Sequence, residues 1–191
     1  MKIALIVLGV LLLLVLLVGG QMVGVRNDLT VQKNGIEAAF AQMDVVLQRR
    51  ADLIPNLVET VKGFAAQEKD VIASVASARS ALGGARTAQE KITANGQLDG
   101  ALSRLLMVVE NYPQLKSDAT FMRLQDELAG TENRIAVERR KYNEAVQKYN
   151  TSIELFPNNI AASIFGFQRN DAYFKTDPAS RQAPKIDFNK K

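Results

Sequence analysis

Arg49 and Arg50 stand side by side in the stretch VLQRRADLIPNLVETVKGFAAQE, residues Val46 to Glu68, with Asp52 and Pro55 close behind. Paired guanidinium groups can hold a phosphate or a carboxylate in bidentate fashion. The chemistry offered here is therefore recognition of an anion, either a lipid headgroup or an acidic group on a partner. Further along, Glu68, Glu132, Glu138 and Arg139 fall where a helical repeat calls for an apolar side chain. A charge on such a seam has to be paired or wet. Arg50 with Glu132 or Glu138, and Glu68 with Arg139, are the cross-helix pairs the spacing allows. Such pairs have two readings: they fix the register of packed helices, or they line a pocket between them.

Absent residue types narrow the chemistry further. The 191 residues include no Cys, no His and no Trp. That excludes disulfides, thiolate nucleophiles, the Ser-His-Asp arrangement and the usual zinc ligand sets. Carboxylates alone remain as metal ligands, but the Glu-x-x-His motif of di-iron bundles is impossible. No metal or cofactor is expected, and the chain reads as a non-enzyme. Its net charge of +4 is mild and its basic residues are spread out, so nucleic acid is not an expected partner.

The elements that position these groups read as helices throughout. From Ile3 to Val18 every residue is apolar or Gly, and Gln21 is the only polar residue before Arg26. Ile3 to Val25 would extend roughly 34 Å as a helix, enough for a hydrocarbon core of about 30 Å. Residues 1–25 are read as a transmembrane anchor and the lipid bilayer as a partner. The competing reading is a signal peptide cleaved at Val18-Gly19-Gly20, but the apolar run exceeds a typical leader's. Lys2 on one side balances Arg26 and Lys33 on the other, so the side holding the soluble part stays open.

Residues 26–174 then keep a three-and-four spacing of apolar residues. Asn27 or Asp28 can cap a helix with the seam Leu29, Ile36, Phe40, Met43, Leu47. Beyond Pro55 the beat resumes at Leu57, Val61, Ile72, Val75 and Leu82, and Gly83-Gly84 stops it. Asp52 is a competent N-cap, so a kink or break is expected near Pro55, with Asp52 and Pro55 as the joint. Thr87 with Glu90 matches a capping box, opening a helix with the seam Leu98, Leu102, Leu105, Val109, ended by Pro113. Ser117 or Asp118 caps a last helix of about 38 residues, to Phe156. The fold expected is all-α: a transmembrane helix followed by an elongated antiparallel bundle of three to four long helices, of coiled-coil-like packing. The aromatic residues Phe165, Phe167, Tyr173 and Phe174 follow, and the polar tail 175–191 is expected to be extended or disordered.

The stretch Leu47 to Glu68 closely resembles the signature of the LemA family of bacterial membrane-anchored helical proteins. NYPQLKS at 111–117, the run from Phe121 to Asn150, Phe156-Pro157, Phe165-Gly166-Phe167 and Tyr173-Phe174 support the resemblance. It implies a single-pass protein of the bacterial inner membrane, a helical bundle, and no catalytic residue set. Phe64 stands where the family usually has tyrosine, Gln67 where histidine is common, and Phe40 where tryptophan often stands. The Gln67 departure argues against any shared histidine chemistry.

The function expected is a membrane-anchored, non-enzymatic scaffold or adaptor acting through helix faces on a protein partner still to be named, with membrane organisation as its setting. The alternative is a ligand-sensing bundle that binds a small anion or lipid headgroup near Arg49 and Arg50. The last helix outreaches its neighbour, so part of its seam needs a cover. Tyr142, Val146, Tyr149 and Ile153, with Phe165, Phe167, Tyr173 and Phe174, are the expected association surface of a homo-oligomer. Folding of the aromatic segment back onto its own chain is the other outcome.

Overall fold

The structure, a computed structural model, describes residues 2–174, and the tail expected at 175–191 lies outside the described residues. Those residues form α1 (Lys2–Phe64), α2 (Lys69–Gly84), α3 (Ala88–Val109), α4 (Pro113–Lys116), α5 (Ala119–Glu154) and α6 (Asn158–Phe165), with no strand among them. Local chemistry sets several boundaries. Thr87 Oγ1 accepts from the Glu90 N–H at 3.2 Å while the Glu90 carboxylate accepts from the Thr87 N–H, a complete capping box. Asp118 caps α5 by accepting from the Phe121 N–H at 2.9 Å. Helix α6 closes on Gly166, whose φ of 72° suits a residue without a Cβ.

Helix α1 runs 63 residues without a break. In its first third the apolar side chains from Ile3 to Val18 are exposed, and an 18-residue window has mean hydropathy 3.2 with no part buried in the protein. That stretch is long and apolar enough to cross a membrane. Neither Asn27 nor Asp28 starts a new helix, because Asp28 accepts from Gln32 Nε2 one turn on at 2.7 Å and the backbone continues through it.

The helix break expected at Asp52 and Pro55 does not form. The helix continues to Phe64, and the chain turns only at residues 65–68. Asp52 caps nothing; its carboxylate accepts from Gln48 Nε2 at 2.7 Å inside the helix. Pro55 lacks the N–H that would bond the carbonyl of Ala51, four residues back. That carbonyl is instead taken by Arg79 Nε of α2 at 2.9 Å. The missing hydrogen bond is replaced from a neighbouring helix, so the backbone has no need to break.

Helix α5 packs antiparallel along the second half of α1. Phe40 meets Tyr142 at 5.9 Å between ring centroids, and Arg50 meets Glu132 at 2.8 Å, so ten residues back on α1 match ten forward on α5. Helices α2 and α3 form an antiparallel hairpin with α2 along α1. The core follows the seams: Leu29, Met43, Leu47, Leu57, Val61, Leu98, Leu105 and Ile135 are all essentially inaccessible. Truncating any one of these leucines to alanine is worth about 2–5 kcal/mol.

The aromatic segment after α6 folds back on its own chain. Asn150 and Asn143, seven residues apart on α5, each exchange two hydrogen bonds with it: Asn150 with the backbone of Asn170, and Asn143 with that of Phe174. Tyr149 Oη donates to the Gln168 carbonyl at 2.9 Å. The expected association surface is corrected accordingly. Tyr142, Val146, Tyr149, Ile153 and Phe174 are buried within one chain and Phe167 and Tyr173 are half-buried, because this ladder lays their cover over them.

Candidate functional site

Helices α3 and α5 make no close backbone approach to each other, although both flank α1. Between them lies a groove of about 910 Å³. Its walls are Leu102, Ser103 and Leu106 on α3 and Gln125, Leu128 and Ala129 on α5, with Leu57 and Arg50 of α1 beneath. Gly96 and Gly100, one turn apart on α3, also face it. A glycine inside a helix costs about 1 kcal/mol relative to alanine. At both positions a built Cβ would meet nothing within 4 Å. Internal packing therefore does not require these glycines, and they leave that part of the groove wall without side chains.

One end of the groove is charged. Arg50, only 6% exposed, places Nη1 2.5 Å from Asp99 Oδ1 and 2.8 Å from Glu132 Oε2. The Glu132 contact is an ion pair outside hydrogen-bond geometry. Asn95, also buried, donates through Nδ2 to Asp99 Oδ2 at 3.1 Å. Arg139 Nη2 lies 3.5 Å from Asp99 and 3.9 Å from Glu132 and stacks on the Phe174 ring at 5.7 Å. Two cations thus face two anions, and the cluster is balanced. The Nε atoms of Arg50 and Arg139 meet no acceptor among the described residues.

The residues singled out from sequence divide as follows. Arg50, Glu132 and Arg139 come together, with Asp99 as their hub. Arg49 is exposed and turned away from Arg50, since adjacent helical residues point about 100° apart, so the two arginines do not form one site. Glu138 pairs with Lys141 one turn on at 2.8 Å. Glu68 does not reach Arg139. It lies in the α1–α2 turn and accepts from Tyr112 Oη at 2.8 Å, while Gln67 Nε2 donates to the same oxygen. That bond to Glu68, with burial second, raises the Tyr112 hydroxyl above its ordinary pKa.

Asn95, Asp99, Arg79 and the ion pair of Lys91 with Asp44 (2.7 Å) escaped the sequence reading. For two of them a signal was present: the α3 seam of Leu98 and Leu102, carried backward by steps of three and four, lands on Asn95 and Lys91. Both are buried.

An apolar helix long enough to cross a membrane, continuing into an antiparallel helical bundle with an open groove on one side, defines an all-helical class of protein with one candidate membrane span among the described residues. The sequence profile of the LemA family matches residues 39–188, and the chain belongs to that family. Among curated proteins it is 29% identical over 179 residues to Magnetosome protein MamQ 1 of Paramagnetospirillum magneticum, covering 80% of this chain. To Magnetosome protein MamQ of Magnetospirillum gryphiswaldense it is 28% identical over 169 residues, 75% of this chain. To Protein LemA of Metamycoplasma hominis it is 23% identical over 141 residues, 73% of this chain. The chain spans 65%, 62% and 64% of these relatives' own lengths, respectively.

Proposed function

We propose that this protein is a membrane-tethered, non-enzymatic scaffold or adaptor, and that the face it offers a partner is the groove between α3 and α5. The observation that carries this reading is the pair of groove-facing glycines. Gly96 and Gly100 weaken α3 while serving no close contact inside the chain, which fits a surface built for close approach from outside. Leucine walls with small residues at Gly96, Gly100 and Ala129 suit the apolar face of a partner helix lying along the groove. Self-association on the membrane belongs to the same reading, with the groove as the contact. Similarity to magnetosome proteins makes organisation of a membrane a fitting setting.

The test is copurification from native membranes with the wild type and with Gly96→Leu/Gly100→Leu. The double variant should fold at least as stably, since leucine is the better helix former by roughly 1 kcal/mol per site. It should also lose the copurified partner. Retention of the same partners with the groove filled would refute the groove as the contact face.

The second reading, an anion or headgroup sensor, draws on the two unpartnered Nε donors. Its motive is weakened by the balance of charge around Arg50 and by the outward turn of Arg49. Calorimetric titration with inorganic phosphate checks it: heat of binding that disappears in Arg139→Gln would favour this reading over the scaffold.

A further inference from the structure

The corner between α5 and α6 is an apolar foot at the root of α1. Leu155 to Gln168 is a run of 14 residues without a charge, closed at its base by the ion pair of Arg169 with Glu154. Among the described residues outside the apolar stretch of α1, 12 large hydrophobic side chains are well exposed, and five of them, Leu155, Phe156, Ile160, Ile164 and Phe165, fall in this run. Phe156 is 80% exposed and Ile164 65%. Exposed apolar groups gathered this way mark a contact surface.

Their level along α1 says which surface. Counting on from Phe40 facing Tyr142 in the antiparallel register, Glu154, the last residue of α5, comes level with Asp28, and Leu155 and Phe156 follow it directly. Helix α6 packs on α1 there, with Arg26 stacked on the Phe165 ring at 5.7 Å and Val25 drawn against the core. Val25 is the last residue of the apolar run and Arg26 the first charge after it. The exposed hydrophobic residues therefore continue the lipid-facing surface of α1 sideways at the height where it leaves the hydrocarbon.

We propose that the α5–α6 corner is a second membrane contact, with Phe156, Ile160 and Ile164 seated in the interfacial layer of the same bilayer that α1 crosses. Helix α6 has the form of an interfacial element, with Ala161 and Ala162 turned to the bundle and isoleucines turned out. The inference rests on the reading of Ile3 to Val25 as a span, but not on the groove.

A chain without tryptophan permits a direct test. Phe156→Trp and Ile164→Trp place single reporters on the foot, and Met107→Trp, 65% exposed near the far end of α3, serves as reference. The full-length protein is reconstituted in phosphatidylcholine vesicles, with or without bromine at shallow acyl positions. The foot reporters should shift to the blue and be quenched by brominated lipid about two-fold or more, while the reference is unaffected. Access of acrylamide to the foot should fall several-fold on reconstitution. A foot reporter as open to acrylamide as the reference, in protein that resists carbonate extraction, would overturn the foot and leave the anchor intact. Protection from acrylamide without bromine quenching would assign the corner to another protein surface and also overturn it. Extraction by carbonate would overturn foot and anchor together.

Discussion

Arg50 is the most deeply buried charged residue among the described residues, and its surroundings make the two ways of breaking its cluster unequal. Asp99 and Glu132 are 35% and 43% exposed in their side chains, so they can hydrate if the arginine is lost. Arg50→Met should therefore cost under about 2 kcal/mol in a denaturant melt. Asp99→Asn with Glu132→Gln leaves a buried guanidinium without a counter-charge and should cost about 3–5 kcal/mol. Equal costs would mean that the cluster is wetter than the geometry indicates. Glu90 gives a pH signature. Its carboxyl is held below the usual carboxylate range, first by the Arg86 N–H and then by the Thr87 N–H. A depressed pKa contributes stability above the ordinary value, and that stability is lost as pH falls through the lowered one. Glu90→Gln should thus melt below wild type near pH 7, and the gap should close as pH falls below the ordinary carboxylate range. The seam rule made Arg50 and Glu132 visible in advance, because a charge in an apolar position declares itself. Asp99 was invisible because it sits beside the seam and reaches in.

Pro55 teaches the opposite lesson about what a sequence conceals. A proline, an aspartate able to cap and a seam that resumes beyond them are the local signs of a joint, yet the helix continues because the orphaned Ala51 carbonyl is met by Arg79. Nothing within five residues of Pro55 announces a donor 24 positions away. The pairing predicts a coupling. Arg79→Met should cost about 1 kcal/mol in the wild type and nearly nothing in Pro55→Ala, where the new N–H reaches the same carbonyl. Additive losses in the four-way cycle would dissociate Arg79 from the proline. Elements stopped by their own residues were easier to read: the capping box at Thr87, Asp118 at the head of α5, and Gly83-Gly84 at the end of α2. The α3–α5 groove was not legible, because a gap between helices distant in sequence leaves no periodic trace; its two glycines look like ordinary weak points in a helix.

Across the entire chain, the apolar run of α1 sets the first expectation: carbonate washing should leave the full-length protein in the membrane pellet. A soluble product beginning near Gln21 would replace the span by a cleaved leader. Single cysteines at Tyr149 and Phe167, in a Cys-free background, should give little cross-linking between copies, since the Asn143 and Asn150 ladder covers this face from within; a cross-linker at Ser103, beside the groove, should do better. The uninterrupted course of α1 has a last consequence. At 1.5 Å per residue it is about 95 Å long, with no helix break between the apolar stretch and the part that carries the bundle. With the apolar stretch in a bilayer, the bundle's compass bearing would be set there: whichever side of the span a neighbouring helix leans against, the groove above would point a fixed number of degrees away. Two copies meeting through their spans would present their grooves at one angle only, and each residue inserted into the span above that contact would turn the groove by about 100°.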